Sequence, residues 1–302
     1  MQDPPWMLVT YHEGDPGKPR LGVRAGGVVR QPPAELAALD LLEVLADWDA
    51  LEPLLRALDP AEGAEVPEAT LLAPLRYPSK VLCAGANYYG HLAEMGIARP
   101  AGPVPPYFFL KPPSTTVIGP DERVLLPDRA GRQIDWEVEL AAVIGRRCHR
   151  VPVERAREVV AGWTVVNDIS SRDQLHRDSP VAPPFGFDWF AAKGEDTFCP
   201  MGPGLVPDWL VGDPHRLALR TTVNGVVKQD GSTEDIVTGI WELIAAASAV
   251  ATLEPGDVIA TGTPAGVGFP RGDFLAPGDE VIAEVDGVGA LRNVVAERPT
   301  RG

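Results

Sequence analysis

Apolar and polar positions divide the chain into a short mixed segment and a long β-rich one. Met7-Leu8-Val9-Thr10-Tyr11 and Leu21-Gly22-Val23 read as short strands, and Gly26-Gly27 turns the second back into Val28-Val29. From Pro33, residues Leu36, Leu41, Leu42, Val44 and Leu45 recur near helical spacing, and Leu51, Leu54, Leu55 and Leu58 repeat the pattern after a break at residues 47–49. Pro60, Pro67, Pro74 and Pro78 then punctuate a linker. Residues 1–77 are therefore expected to be a small N-terminal α/β domain with its linker, and residues 78–298 the main domain, α+β but mostly β.

The long segment opens on the strand Lys80 to Ala84 and a short helix at Tyr88 to Met95. Asn224-Gly225 and Asp286-Gly287 sit between runs of β-branched residues and predict tight hairpins. One helix interrupts the strands, with Ile236, Ile240, Leu243, Ile244, Ala247 and Val250 forming an apolar stripe after Ser232-Thr233-Glu234-Asp235. There is no internal repeat and no heptad array.

Composition fits a globular chain: 302 residues, 45% hydrophobic and 23% charged. The formal charge of -15 has the wrong sign for gripping a phosphate backbone or an anionic bilayer, so neither nucleic acid nor membrane is an expected partner. Cys83, Cys148 and Cys199 are far apart and form no C-x-x-C pair, which argues against a disulfide framework or a zinc site. With no basic region leading into an apolar run after Met1, the expectation is a soluble, cytoplasmic protein.

Chemistry enters at Asp135-Trp136-Glu137-Val138-Glu139-Leu140. In a strand, Glu137 and Glu139 point the same way. On a solvated edge that pair is unremarkable, but on a buried face two like charges need something positive between them. Asp168 ends a second apolar strand, Trp163 to Asn167, that could pair with the first. Three carboxylates without His or Cys favour Mg²⁺, Mn²⁺ or Ca²⁺ over zinc. On the short helix, His91 and Glu94 stand at i and i+3 and can touch, making either a surface ion pair or a base able to move protons near neutral pH. Lys193 is a single lysine between aromatic, glycine and proline residues. Thr261-Gly262-Thr263-Pro264 follows a strand and could wrap a ligand, but no nucleotide-binding glycine pattern and no G-x-S-x-G elbow is present.

In this order the segments Gly85-Ala86-Asn87-Tyr88 with His91 and Glu94, Asp135 to Leu140, Asn167 to Asp173, Lys193 to Pro203, Val223-Asn224-Gly225 with Gln229, and Thr261 to Pro264 resemble the fumarylacetoacetate hydrolase family over residues 78–298. The resemblance implies a mixed β-sandwich roll, a homodimer, and Mg²⁺ or Mn²⁺ held by Glu137, Glu139 and Asp168. It implies a water-activating dyad of His91 and Glu94 on a lid, Lys193 beside the substrate oxygens, and Tyr88, Arg172, Gln229 and Thr263 positioning substrate. The reaction it implies is cleavage of an acylpyruvate-like 2,4-dioxo acid through a metal-stabilised enolate. Decarboxylation or tautomerisation of oxaloacetate or a 2-hydroxydienedioate would use the same parts, and a binding homologue without catalysis is the third possibility. Two departures stand out: Gly90 where family members often carry an acid, and Glu195 where they often carry an aromatic residue.

Overall fold

The structure, a computed structural model, describes residues 1–14 and 18–299. The N-terminal strands β1 (Met7–His12), β2 (Arg20–Ala25) and β3 (Val28–Arg30) form the expected meander, with Ala25 paired to Val28 across Gly26-Gly27. Both glycines take positive φ, which a twist-matched two-residue turn requires. The helical stretch breaks into α1 (Leu41–Ala46), opened by an Asp40–Glu43 capping box, and α2 (Trp48–Arg56). Within the Pro-punctuated stretch, β4 (Thr70–Leu72) pairs with β1.

Past it come β5 (Val81–Gly85), α3 (Tyr89–Glu94), β6 (Tyr107–Lys111), α4 (Pro113–Thr116), β7 (Val117–Ile118), β8 (Arg123–Leu126), β9 (Ile134–Asp135) and β10 (Val138–Ile144). Then follow β11 (Val160–Asn167), β12 (Ser170–Ser171), α5 (Trp189–Lys193), β13 (Cys199–Pro207), β14 (Ala218–Val223), β15 (Val226–Ser232), α6 (Ile240–Val250), β16 (Val258–Ala260), β17 (Glu280–Val285) and β18 (Gly289–Glu297). The architecture is mostly β, as expected. One sheet runs β3-β2-β1-β13-β11-β10-β16-β5-β6, with β4 against β1 and β7 against β13; a second runs β15-β14-β17-β18-β8. Leu8 opposite Leu205 joins the N-terminal meander to the large sheet.

The strand β10 explains where the site lies. It is buried along its whole length, so its two faces enter two different cores. Val138, Leu140, Ala142 and Ile144 face Leu219, Ala283 and Leu291 of the second sheet. Ala141 and Val143 join Trp48, Leu45 and Leu36 on the other side. Glu139 shares the parity of Ala141 and Val143, which puts a carboxylate at the end of an apolar row.

Two sequence readings shift by a turn. Residues 236–238 precede α6 instead of belonging to it: Ile236 is extended and Gly239 is the N-cap. The Asp286-Gly287 turn includes Val288 as well, because Val285 pairs with Gly289. Among the described residues no helix is long and apolar enough to cross a membrane, and all three cysteines are free.

Candidate metal centre and proton-transfer pair

Glu137, Glu139 and Asp168 meet because β10 and β11 pair antiparallel, Val138 opposite Asn167 and Glu139 opposite Val166. Glu137 does not lie in a continuous strand with Glu139 but at the break between β9 and β10. There Asn167 Oδ1 accepts its N–H at 3.0 Å, while its own carbonyl accepts the Asp168 N–H at 2.8 Å. The three side chains each offer an oxygen within 4.8 Å of the others, and all are buried.

Three cations surround them. Lys193 Nζ donates to Glu137 Oε2 at 2.9 Å and Asp168 Oδ2 at 2.7 Å. Arg172 Nε donates to Asp135 Oδ1 at 2.8 Å, and its Nη2 to Glu137 Oε1. Lys111 Nζ lies 2.6 Å from Asp168 Oδ1, off the angle of a hydrogen bond, so that oxygen has no hydrogen-bond donor. Against these three cations stand four buried carboxylates, Asp135, Glu137, Glu139 and Asp168. One negative charge is unmatched.

The imbalance falls on Glu139. Burial and then the neighbouring Asp168 and Glu137 charges push its carboxyl well above the ordinary range, against the help of Lys193 and the Gly262 N–H. Burial works against ionised Glu137 too, but Lys193, Arg172 and His91 outweigh it and hold that carboxyl below the usual carboxylate range. Burial likewise opposes the Lys193 charge, and Asp168 and Glu137 overcome it and raise the ammonium above its ordinary value. A donor set made only of oxygens, one of them without a hydrogen bond, and an excess charge suit a divalent cation such as Mg²⁺ or Mn²⁺.

The His91–Glu94 contact forms as the spacing predicts. Glu94 Oε1 is 2.5 Å from His91 Nδ1, and Glu94 Oε2 accepts the Gly266 N–H at 2.8 Å. A carboxylate can only accept, so Nδ1 carries the hydrogen and Nε2 is left to take a proton. His91 is buried.

Of the four expected substrate-positioning residues, Gln229, Thr263 and Arg172 brace the site in this structure, whereas the Tyr88 hydroxyl is buried with no hydrogen-bond partner. Gln229 is fully buried with all its hydrogen-bonding groups used: Oε1 accepts from Val138 N–H and Thr221 Oγ1, and Nε2 donates to Thr263 Oγ1 and the Pro264 carbonyl. Thr263 Oγ1 in turn donates to the Val138 carbonyl at 2.9 Å. Tyr88 is fully buried at the N-cap of α3, and Arg172 is committed to Asp135 and Glu137. Gln229→Ala would strand the buried Val138 N–H, and we expect it to lower unfolding free energy by about 1–3 kcal/mol in denaturant titrations.

Sequence reasoning missed Lys111 and Asp135. Lys111 shares the buried parity of Phe109 in the aromatic run Tyr107-Phe108-Phe109-Leu110-Lys111, and a charge in that row was the available signal. The two departures have partners. Glu195 pairs with Arg129, which also holds Asp173 and Ser171 and so ties the end of α5 to the loop carrying Arg172. Gly90 has its N–H accepted by Asp235 Oδ2 at 2.7 Å. A cavity of about 870 Å³ lies elsewhere, beside Tyr11, Arg20, Asp40 and Arg76.

Known proteins resemble this chain over most of its length. The family model for fumarylacetoacetate (FAA) hydrolase, C-terminal, matches residues 80–296. Human mitochondrial oxaloacetate tautomerase FAHD2B is 43% identical over 230 residues, 76% of this chain and 70% of that protein. The crystal structure of a 5-carboxymethyl-2-hydroxymuconate delta-isomerase from Mycobacterium smegmatis superposes with a TM-score of 0.73 at 37% identity, covering 97% of this chain and 100% of that one. A maleylpyruvate hydrolase from Sphingobium sp. SYK-6, in complex with manganese(II) and pyruvate, gives 0.77 at 31% identity with the same coverage.

Proposed function

This chain belongs to the fumarylacetoacetate hydrolase family, and from that premise we propose that it is a divalent-metal-dependent tautomerase or isomerase of a 2-oxo dicarboxylic acid, oxaloacetate or a 2-hydroxydienedioate. The observation that carries the reading is the His91–Glu94 pair, fixed by the Gly266 N–H. A cation held by Glu137, Glu139 and Asp168 would supply Lewis acidity towards the 2-oxo-acid oxygens. His91 Nε2 takes the C3 proton, the C3–H electron pair becomes the C2–C3 double bond, and the 2-oxo oxygen takes the charge. Glu94 steadies the imidazolium until the proton is returned to oxygen. Lys193 holds Glu137 and Asp168 and offers an ammonium N–H to the charge that develops. The higher identity to the tautomerase and the isomerase favours proton transfer over bond cleavage.

A second reading, hydrolysis of a 2,4-dioxo acid, is favoured by the likeness to the maleylpyruvate hydrolase. There the same pair would aim a water at the second carbonyl and leave pyruvate.

NMR in D₂O with Mn²⁺ or Mg²⁺ separates them. Catalysed enol–keto exchange of oxaloacetate with deuterium entering C3, reduced about 10²–10⁴-fold in His91→Gln, is the expected result. Cleavage of an acylpyruvate or maleylpyruvate with no catalysed exchange would replace this reading with the second, and CO₂ release with a decarboxylase.

A further inference from the structure

His91 and Glu94 ride on a stretch that cannot hold its own shape. Between β5 and β6 the chain runs through residues 86–106 with one helix of six residues, too short to persist without tertiary contacts. That helix has no side-chain cap of its own, since Tyr88 occupies the N-cap.

What grips it is the four-residue run 235–238, which precedes α6. Asp235 Oδ2 accepts the Gly90 N–H at 2.7 Å, one of the unpaired donors of the first turn. Ile236 makes a β-bridge with Tyr88. The Val237 N–H donates to the Asn87 carbonyl at 2.9 Å. Thr238 N–H donates to Asn87 Oδ1 at 2.9 Å, and Asn87 Nδ2 returns a bond to the Thr238 carbonyl at 3.1 Å. Thr238 Oγ1 then reaches the far end of the stretch and donates to the Val104 carbonyl at 2.9 Å. Gly90 allows the close approach, because an added Cβ would stand 3.0 Å from Asp235 Oδ2.

We propose that Asp235 and Thr238 are positioning residues: they clamp the two ends of residues 87–104 and thereby hold His91 and Glu94 in place. Neither residue belongs to the acid cluster, so the clamp acts on the proton-transfer pair and leaves the cation ligands alone. The catalytic half of this inference rests on the assignment of His91 and Glu94 as that pair.

Hydrogen–deuterium exchange on the full chain, with kcat and KM for oxaloacetate and Mn²⁺ binding followed by EPR, tests it. In Asp235→Ala, amides of residues 87–95 should exchange at least about tenfold faster while β10 and β11 keep their protection. Its kcat should fall about tenfold with Mn²⁺ affinity within about twofold, because the acids sit on other elements. Asp235→Asn keeps an acceptor for the Gly90 N–H and should recover most of both losses. Thr238→Val should speed exchange around residue 104, and it carries the test if Asp235→Ala does not fold. Unchanged exchange in residues 87–106, equal acceleration across β10 and β11, or an Asn variant no better than the Ala variant would overturn the clamp. Should the wild-type protein leave oxaloacetate untouched, the functional reading fails, and the exchange pattern still decides whether the clamp exists.

Discussion

Glu139→Gln should abolish turnover, weaken Mn²⁺ binding by more than about 100-fold, and make the metal-free protein more stable than wild type. The first two effects follow from removing one of three anionic oxygens; loss of an outer partner alone typically costs about 10–100-fold in metal affinity. The third follows from the charge imbalance. Burial and the Asp168 and Glu137 charges raise the Glu139 carboxyl well above its ordinary range in the folded chain. A folded-state pKa above the unfolded one means the native state binds the extra proton, so its stabilisation is present at low pH and lost as pH rises through the folded value. Glutamine has no proton to lose, and the difference in melting temperature between chelator-treated variant and wild type should widen as pH rises. Saturating Mn²⁺ should reverse the order, adding about 2.7 kcal/mol to wild type at 100 times Kd and nothing comparable to the variant. Equal Mn²⁺ affinity in the two proteins would remove Glu139 from the metal site.

Lys193→Met should be nearly as severe by a different route. Lys193 Nζ spans Glu137 and Asp168 in a fully shielded position, and removing one member of a buried ion-pair cluster leaves uncompensated charge, at a cost of about 3–5 kcal/mol. Loss of a preorganised donor to developing negative charge adds a drop in kcat of about 10²–10³. The pH signature has the opposite sign to that of Glu139. Glu137 is held below the ordinary range against its burial, with Lys193 first among the groups that do so. Its stabilisation is present above the unfolded carboxylate pKa and lost as pH falls through the folded one. Without Lys193 that contribution shrinks, and acid unfolding of the metal-free variant, followed by tryptophan fluorescence, should begin at higher pH. A variant that keeps the wild-type acid midpoint would show that Lys193 does not set the charge of Glu137.

Much of the site was legible before the fold because its chemistry violates local expectation. Two carboxylates bounding an apolar strand, a third at the end of another, and a histidine one helical turn before a glutamate are short-range patterns, and each formed. Hairpin turns were legible for the same reason: Gly26-Gly27 and Asn224-Gly225 adopt the positive φ values their composition allows. Lys111 escaped because its three partners, the Asp168 carboxylate and the Ile169 and Lys193 carbonyls, are 57 or more residues away and carry no local signature. The start of α6 was misplaced because the stripe continues through Ile236 and Val237, while the backbone of that run is spent on Asn87 and Tyr88. Periodicity records which side chains are apolar and is silent on where a backbone N–H finds its partner.

The sequence by itself determined the residue types from which the proposed chemistry is built: three carboxylates able to hold a cation, a His–Glu pair and a lysine, in the order that marks its family. Side-chain type decides those, and side-chain type is written in the chain. Only the tertiary structure decided the charge balance, four buried carboxylates against three cations, and the bracing of His91 by a run about 145 residues further along. Both arise from long-range contacts in a site shielded from water, where an ion's cost is set by what the fold brings beside it.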